Sequence, residues 1–139
     1  ASYGLSLDEE SSLSTFDNNS FNNCLKNPIL IYARYVHNLG VGNSFEATSS
    51  ILVMDDDLDI SGTFIWKNLG VPYDFRGTIK VGSPSGTTIE IESGTVLNFS
   101  SDSEIKLAFG VGNFGCGLCP CWVLWSRAEA PRYVRLWDS

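Results

Sequence analysis

Charged residues are scarce in this sequence, and basic ones scarcer still. Asp, Glu, Lys and Arg make up 18% of the 139 residues, below the roughly 25% that is typical of soluble proteins. Nine Lys and Arg stand against sixteen Asp and Glu, and the formal net charge is −7. A chain of this sign has no electrostatic footprint for a phosphate backbone. We therefore expect no nucleic-acid partner.

Long apolar runs and sustained helical periodicity are also missing. No apolar stretch approaches the roughly 18 residues that span a bilayer, so we expect no direct membrane insertion, with any signal peptide or lipid anchor outside this sequence. Gly, Ser and Asn interrupt every segment in which apolar residues begin to recur at helical spacing. The sequence therefore predicts an all-β protein.

Short apolar segments of strand length recur along the chain instead. Ile29–Ile31 and Ile51–Val53 begin 22 residues apart, and Phe21 and Phe45 lie 24 residues apart. A repeat in the low twenties is typical of a solenoid, in which each coil buries its inward face by stacking on the next. This period predicts about four to five coils.

Residues 79 to 107 alternate between apolar and polar side chains, which is typical of strands with one buried face. Turn-forming residues rich in Gly and Ser separate these strands. Strict alternation predicts that one set of apolar side chains points into the solenoid, namely Ile79, Val81, Ile89, Ile91, Leu97, Phe99, Ile105 and Leu107.

Several uncommon residues occur together at suggestive spacing. A Trp-bearing segment, residues 60 to 67, leads to Pro72 and Tyr73, and a strand that ends at Phe99 follows the corner Ser93-Gly94-Thr95. This arrangement resembles a module of bacterial secreted and surface proteins that form a right-handed parallel β-helix, the pectate-lyase-like solenoid. In that family a Pro usually stands where this chain has Ser93. The resemblance covers about residues 1 to 107.

Composition changes sharply near the C-terminus. Three of the four Cys and three of the four Trp fall between residues 116 and 137. We therefore predict β-helix coils over residues 1–109 and an irregular Cys- and Trp-rich segment over 110–139. We expect that segment to fold back as a cap over an end of the solenoid instead of adding a regular coil.

The cysteines form the cluster that most resembles a metal-binding or redox site. Cys116, Cys119 and Cys121 lie close together in sequence, and Cys24 lies far upstream. Disulfide bonds among the four, inert thiols and a zinc site all remain open, although a structural zinc site usually has two spaced ligand pairs. Pro120 and the neighbouring glycines argue against a redox CxxC at a helix N-terminus. We favour a structural or inert role, and the sequence indicates no metal and no cofactor.

Two other groups of residues are candidate sites. Asp55, Asp56, Asp57 and Asp59 offer oxygen ligands for calcium, but adjacent carboxylates repel and the EF-hand spacing is absent, so a solvated turn is favoured. His37 is the only histidine and sits beside a turn-like sequence, which is weak ground for a nucleophilic triad. We therefore expect no catalytic site.

Four residues are candidates for contact with a glycan. Trp66 and Tyr73 offer aromatic rings that stack on sugars, although such rings more often cover a hydrophobic stack. Glu90 and Glu92 alternate outward on one strand, and we expect Lys80 and Lys106 to flank them on adjacent coils. The simpler interpretation of these charges is a ladder that supports stacking.

The resemblance implies a function only coarsely, because this solenoid carries adhesins, enzymes and structural modules alike. We expect a non-catalytic structural or adhesive module of an extracellular or cell-surface protein, with a glycan or another surface ligand as partner. One alternative is a polysaccharide lyase or glycosidase that uses the outer face. Another is an assembly subunit that self-associates through its solenoid ends.

Overall fold

The chain folds as a parallel β-solenoid. The computed structural model describes residues 3–25, 27–82 and 87–107, with the backbone alone at 107, 112–114, 123–127 and 130–134. Strands and one 3₁₀ helix follow in the order β1 (Leu5–Ser6), β2 (Ser20–Phe21), β3 (Ile29–Tyr32), η1 (Ala33–Asn38), β4 (Ser44–Phe45), β5 (Ile51–Met54), β6 (Asp56–Leu58), β7 (Gly62–Trp66), β8 (Tyr73–Phe75), β9 (Thr78–Val81), β10 (Thr87–Ile91), β11 (Leu97–Phe99), β12 (Glu104–Leu107), β13 (Gly112–Phe114), β14 (Val123–Arg127) and β15 (Ala130–Val134).

One sheet runs the full length of the solenoid, in the order β1-β3-β5-β8-β11-β14-β15. From β1 to β11 all its strands pair in parallel, so the chain completes one turn between each strand and the next. Ile29 pairs with Ile51 and Phe21 with Phe45, which confirms the repeat that the sequence predicts.

Two further faces begin only in the third turn. The first contains β6, β9 and β12, and the second contains β7, β10 and β13. The first two turns instead share a short sheet made of β2 and β4. Between these two arrangements lies η1, which packs against both β6 and β7. The solenoid therefore changes its cross-section between its second and third turns.

The core is a stack of aligned apolar side chains. Ile79, Val81, Ile89, Leu97 and Phe99 are buried as the alternation predicts. Ile91 and Ile105 are partly buried against the same core, and the side chain of Leu107 lies outside the described part of the chain. At one corner the rings of Trp66, Phe75 and Phe99 stack on successive turns, with centroid separations of 5.4 and 4.9 Å. The apolar surface that these side chains remove from water stabilises the stacked turns.

The C-terminal segment differs from the expected cap. The backbone of β13 pairs in parallel with β10, and that of β14 pairs in parallel with β11. Both strands therefore add to existing faces, which corrects the expectation that this segment only folds over an end. The last strand, β15, then pairs antiparallel with β14. The predicted boundary between 109 and 110 falls outside the described residues.

A buried asparagine joins the corners of the first two turns. Asn43 is 6% exposed. Its Oδ1 accepts hydrogen bonds from the backbone and side-chain nitrogens of Asn19, both at 3.0 Å. Its Nδ2 donates to the carbonyls of Phe16 and Gly40 at 2.8 and 2.9 Å. The side chain thus satisfies groups that would otherwise be buried without partners.

We expect Asn43→Ala to lower the free energy of unfolding by about 1 to 3 kcal/mol, because it leaves several of these buried groups without a hydrogen-bond partner. Chemical denaturation followed by circular dichroism measures the loss. Asn22→Ala is the matched control, since Asn22 is exposed and bonds only to Ser20 among the described contacts. Equal stability of the two variants would contradict the bridging role of Asn43.

Candidate functional site

The main candidate site is a groove of about 630 Å³ at the step in cross-section. The groove lies where η1 takes the place of a strand. Side chains of the first two turns therefore lie beside β6 and β9, the first strands of the face that begins in the third turn. Its lining comes from four successive turns and comprises Glu9, Tyr32, Arg34, Asp55, Asp56, Asp57, Thr78 and Lys80. Most of this lining is polar or charged.

An ion pair fixes the floor of the groove. The side chain of Asp56 is 2% exposed, because Asp56 occupies an inward position of β6 in register with Ile79. Its Oδ2 accepts a hydrogen bond from the Arg34 backbone nitrogen at 2.9 Å, and both carboxylate oxygens accept from the guanidinium. This contact raises the pKa of Arg34. The pair therefore fastens η1 to β6 across the step.

Tyr32 brings an aromatic ring to the groove. It is half-buried and directly precedes η1. Partial desolvation raises the pKa of its hydroxyl, and the negative charges of Glu9 and Asp55 raise it further. Glu9 and Asp55 line the same groove as Tyr32. An aromatic face beside hydrogen-bond acceptors is a suitable surface for a polyhydroxylated ligand.

The lysines expected beside Glu90 and Glu92 lie on another face. Lys80 and Lys106 align with one another on β9 and β12, whereas Glu90 lies on β10 in register with Ile65 of β7. Lys80 forms an ion pair with Asp57 at 3.3 Å, and Lys106 forms one with Glu104 at 2.8 Å. The expected flanking of the two glutamates by these lysines is therefore wrong.

Glu92 has a structural contact of its own. Its Oε2 accepts a hydrogen bond from the backbone nitrogen of Asn68 at 2.8 Å, in the same way that Glu46 accepts one from Asn23 at 2.9 Å. These carboxylates bridge neighbouring turns at their corners. Glu90 is half-buried and Glu92 exposed, and their role in glycan contact stays a prediction.

Trp66 and Tyr73 lie inside the solenoid. Both are 0% exposed, and the hydroxyl of Tyr73 donates to the carbonyl of Lys67 at 2.7 Å. Burial raises the pKa of that hydroxyl. Because neither ring presents a face to solvent, the structure corrects the expectation that these two side chains stack on sugars. They cover the hydrophobic stack instead.

The remaining candidates divide between described and undescribed regions. Cys24 is half-buried with a free thiol, and Cys116, Cys119 and Cys121 lie outside the described residues. His37 lies in η1, not in a turn, and its ring packs edge-on against Phe64 with a centroid separation of 4.8 Å. Burial lowers its pKa, assisted by the charge of Lys67. His37 is therefore a side chain packed against the neighbouring turn.

The aspartates expected as a possible calcium site point to different places. Asp56 is buried in its pair with Arg34, while Asp55 and Asp57 are exposed. Within the described parts of the chain, no three His, Cys, Asp or Glu side chains gather as a metal site. Nor does any helix there have the length and apolar character needed to cross a membrane.

Sequence reasoning missed Tyr32 and Glu9 as groove residues. Tyr32 adjoins the apolar run Ile29–Ile31, and Glu9 lies more than twenty positions upstream. One signal was present: Glu9, Tyr32 and Asp55 recur at a spacing of 23 residues, which is close to the length of one turn, although strand pairing aligns Tyr32 with Met54. No protein-family model matches the chain, and no curated protein or solved structure matches it significantly.

Proposed function

We propose that this chain is a non-catalytic, adhesive β-solenoid module of a secreted or cell-surface bacterial protein, and that it binds a glycan in the groove beside Tyr32. The resemblance to pectate-lyase-like solenoids supports the bacterial surface setting. The observation that carries the proposal is the groove itself, in which an accessible aromatic ring lies among carboxylates on a rigid scaffold.

The charges in the groove favour one class of glycan. Arg34 is occupied by Asp56 and Lys80 by Asp57, so both basic side chains of the lining already have partners. Glu9 and Asp55 line the groove and form no ion pair among the described residues. A polymer of uronic acids would bring like charges to these carboxylates, which is unfavourable. Neutral sugars instead supply hydroxyl donors for them, so we expect neutral oligosaccharides to bind.

The rigid scaffold holds the ligand-binding groups of the groove in fixed positions. Its lining spans four turns that are tied by in-register strand pairing and by the Arg34–Asp56 pair. Binding groups held on regular elements lose little freedom when a ligand arrives. A module of this kind presents a ligand site at a fixed place along a rigid rod.

The proposal is tested with a glycan array that carries neutral, uronic-acid and amino-sugar oligosaccharides, followed by calorimetry with the best neutral binder. We expect Tyr32→Ala to weaken that binding about tenfold, because the sugar loses its stacking surface. The melting temperature should change little, since Tyr32 points outward. Glu90→Gln is the control on the other face and should leave affinity unchanged.

Three results would contradict this assignment. Absence of binding on the array would remove the adhesive role. Loss of binding in Glu90→Gln but not in Tyr32→Ala would move the site to the surface that carries Glu90 and Glu92. Release of shortened oligosaccharides during incubation would favour the enzyme alternative.

A further inference from the structure

The helix η1 closes the junction between the second and third turns. These turns share the pairing of β3 with β5, whereas β6 and β7 are the terminal strands of their own sheets. On that side of the solenoid η1 packs against both strands, and its Val36 is only 1% exposed. The closed junction therefore depends on the contacts that hold η1 against β6 and β7.

The ring of His37 forms the aromatic contact between η1 and β7. It packs edge-on against Phe64, and its Nδ1 atom is buried without a hydrogen-bond partner in the described parts of the chain. A neutral imidazole can keep its one proton on Nε2, whereas a protonated imidazole carries an N–H on both nitrogens. Protonation would therefore bury a charged ring with an unpaired donor, which is unfavourable.

A positive charge lies beside this ring. The ammonium group of Lys67 donates hydrogen bonds to the carbonyls of His37 and Leu39, both at 3.2 Å. It thus lies at the C-terminal end of η1. Burial lowers the pKa of His37, the carbonyl of Arg34 offsets part of this effect, and the charge of Lys67 lowers the pKa further.

The other elements packed against η1 supply no free carboxylate. Strands β3, β5 and β7 carry no charged side chain, and Tyr32 is their one titratable group. The carboxylates of β6 are paired, Asp56 with Arg34 and Asp57 with Lys80. A proton on His37 therefore adds a second positive charge beside Lys67 with no negative partner.

We propose that η1 is an acid-sensitive latch, which leaves β7 when His37 binds a proton and so opens the junction between the second and third turns. The buried ring of the closed junction binds a proton less readily than the solvated ring of the open one. The closed state is therefore favoured most above pH 6.5, the ordinary pKa of histidine. It loses stability as the pH falls below 6.5, until the pH passes the lowered pKa of the closed state.

Opening of the junction also divides the groove. Tyr32 and Arg34 line the groove from the second turn, whereas Asp57 and Lys80 line it from later turns. A glycan held across the junction is then released in mild acid, a consequence that rests on the proposed function.

Nuclear magnetic resonance of the full chain tests the latch without any variant. His37 is the only histidine, so its ring signals give its pKa directly. The Arg34 amide bonds to Asp56 across the junction, and its protection against hydrogen exchange should fall several-fold from about pH 7.0 to about pH 5.5, the limit for one proton being about tenfold per pH unit. The Tyr73 amide bonds to Val96 in a later turn and should stay protected.

Substitutions at two positions separate the proton from the packing. His37→Phe keeps an aromatic ring against Phe64 but cannot bind a proton, so the protection of the Arg34 amide should no longer depend on pH. His37→Gln should have the same effect on the pH dependence, and it provides a second variant should phenylalanine not fit. Lys67→Met should raise the pKa of His37, because it removes the neighbouring positive charge.

Three results would overturn the latch. They are a His37 pKa at or above 6.5 in the folded chain, an unchanged pH dependence in both His37 variants, and an equal loss of protection at Tyr73, which would mean that acid acts on the whole solenoid. Calorimetry with the best neutral oligosaccharide at both pH values tests the link to the groove. Equal affinity despite an open junction would remove that link, whereas no binding at either pH would contradict the proposed function and not the latch.

Discussion

Replacing Phe75 by Ala is expected to lower the free energy of unfolding by about 3 to 5 kcal/mol. Phe75 is 1% exposed and lies in the middle of the aromatic stack, between Trp66 and Phe99. Its removal leaves a cavity between the large rings of the preceding and the following turn. In-register strand pairing fixes those turns on either side, so the rings cannot move together to fill the space.

Denaturant unfolding, followed by tryptophan fluorescence and by circular dichroism, measures this loss. Leu25→Ala is the comparison, since Leu25 is 86% exposed and its truncation should change stability by less than about 0.5 kcal/mol. A loss below about 1 kcal/mol for Phe75→Ala would mean that the ring does not lie within a packed stack.

The second large effect is expected for Asp56→Ala, with a loss of about 2 to 4 kcal/mol. The carboxylate accepts hydrogen bonds from the Arg34 backbone, the Arg34 guanidinium and the Asp57 backbone. Its removal leaves all three donors without this hydrogen-bond acceptor. The side chain of Arg34 is 41% exposed and can reach water, which keeps the loss below that of a fully buried pair.

The neighbouring Asp57→Ala is a close control, because it removes the same chemical group one position along the strand. Asp57 is exposed, and its ion pair with Lys80 is exposed as well, so its loss should cost no more than about 0.5 kcal/mol. Asp56→Asn should fall between the two, since it keeps an acceptor and loses the charge. If Asp56→Ala and Asp57→Ala were equally stable, the carboxylate would not be holding η1.

The parallel solenoid could be predicted from the sequence because its signals are local and repeated. Alternation from Ile79 to Phe99 marks the buried face, and the spacing of Ile29 and Ile51 marks the turn length. A regular stack reproduces both patterns without further information. The same regularity explains why the buried apolar residues were identified more readily than any polar group.

The groove could not be predicted in this way, because it arises where the repeat fails. Nothing in Ala33–Asn38 marks a 3₁₀ helix between strands, and the Asp55–Asp57 run resembles a solvated turn. Only the partner of Asp56, which lies 22 positions upstream, explains why one aspartate of the three is buried. For Trp66 and Tyr73, aromatic identity suggested a ligand surface, but their register with core positions decided their burial.

The step at η1 also has a mechanical consequence. Hydrogen bonds between turns run along the axis of a solenoid, so tension between its ends loads them directly. The third and fourth turns share three paired faces, formed by β5–β8, β6–β9 and β7–β10. In the described residues, the second and third turns share a single strand pairing, β3–β5, reinforced by side-chain contacts that include Arg34–Asp56, Asn27–Ser50 and Lys67 with the His37 carbonyl. A stretched molecule should therefore break first at the junction between the second and third turns. The first two turns should detach from the rest of the solenoid before the turns that share three paired faces come apart.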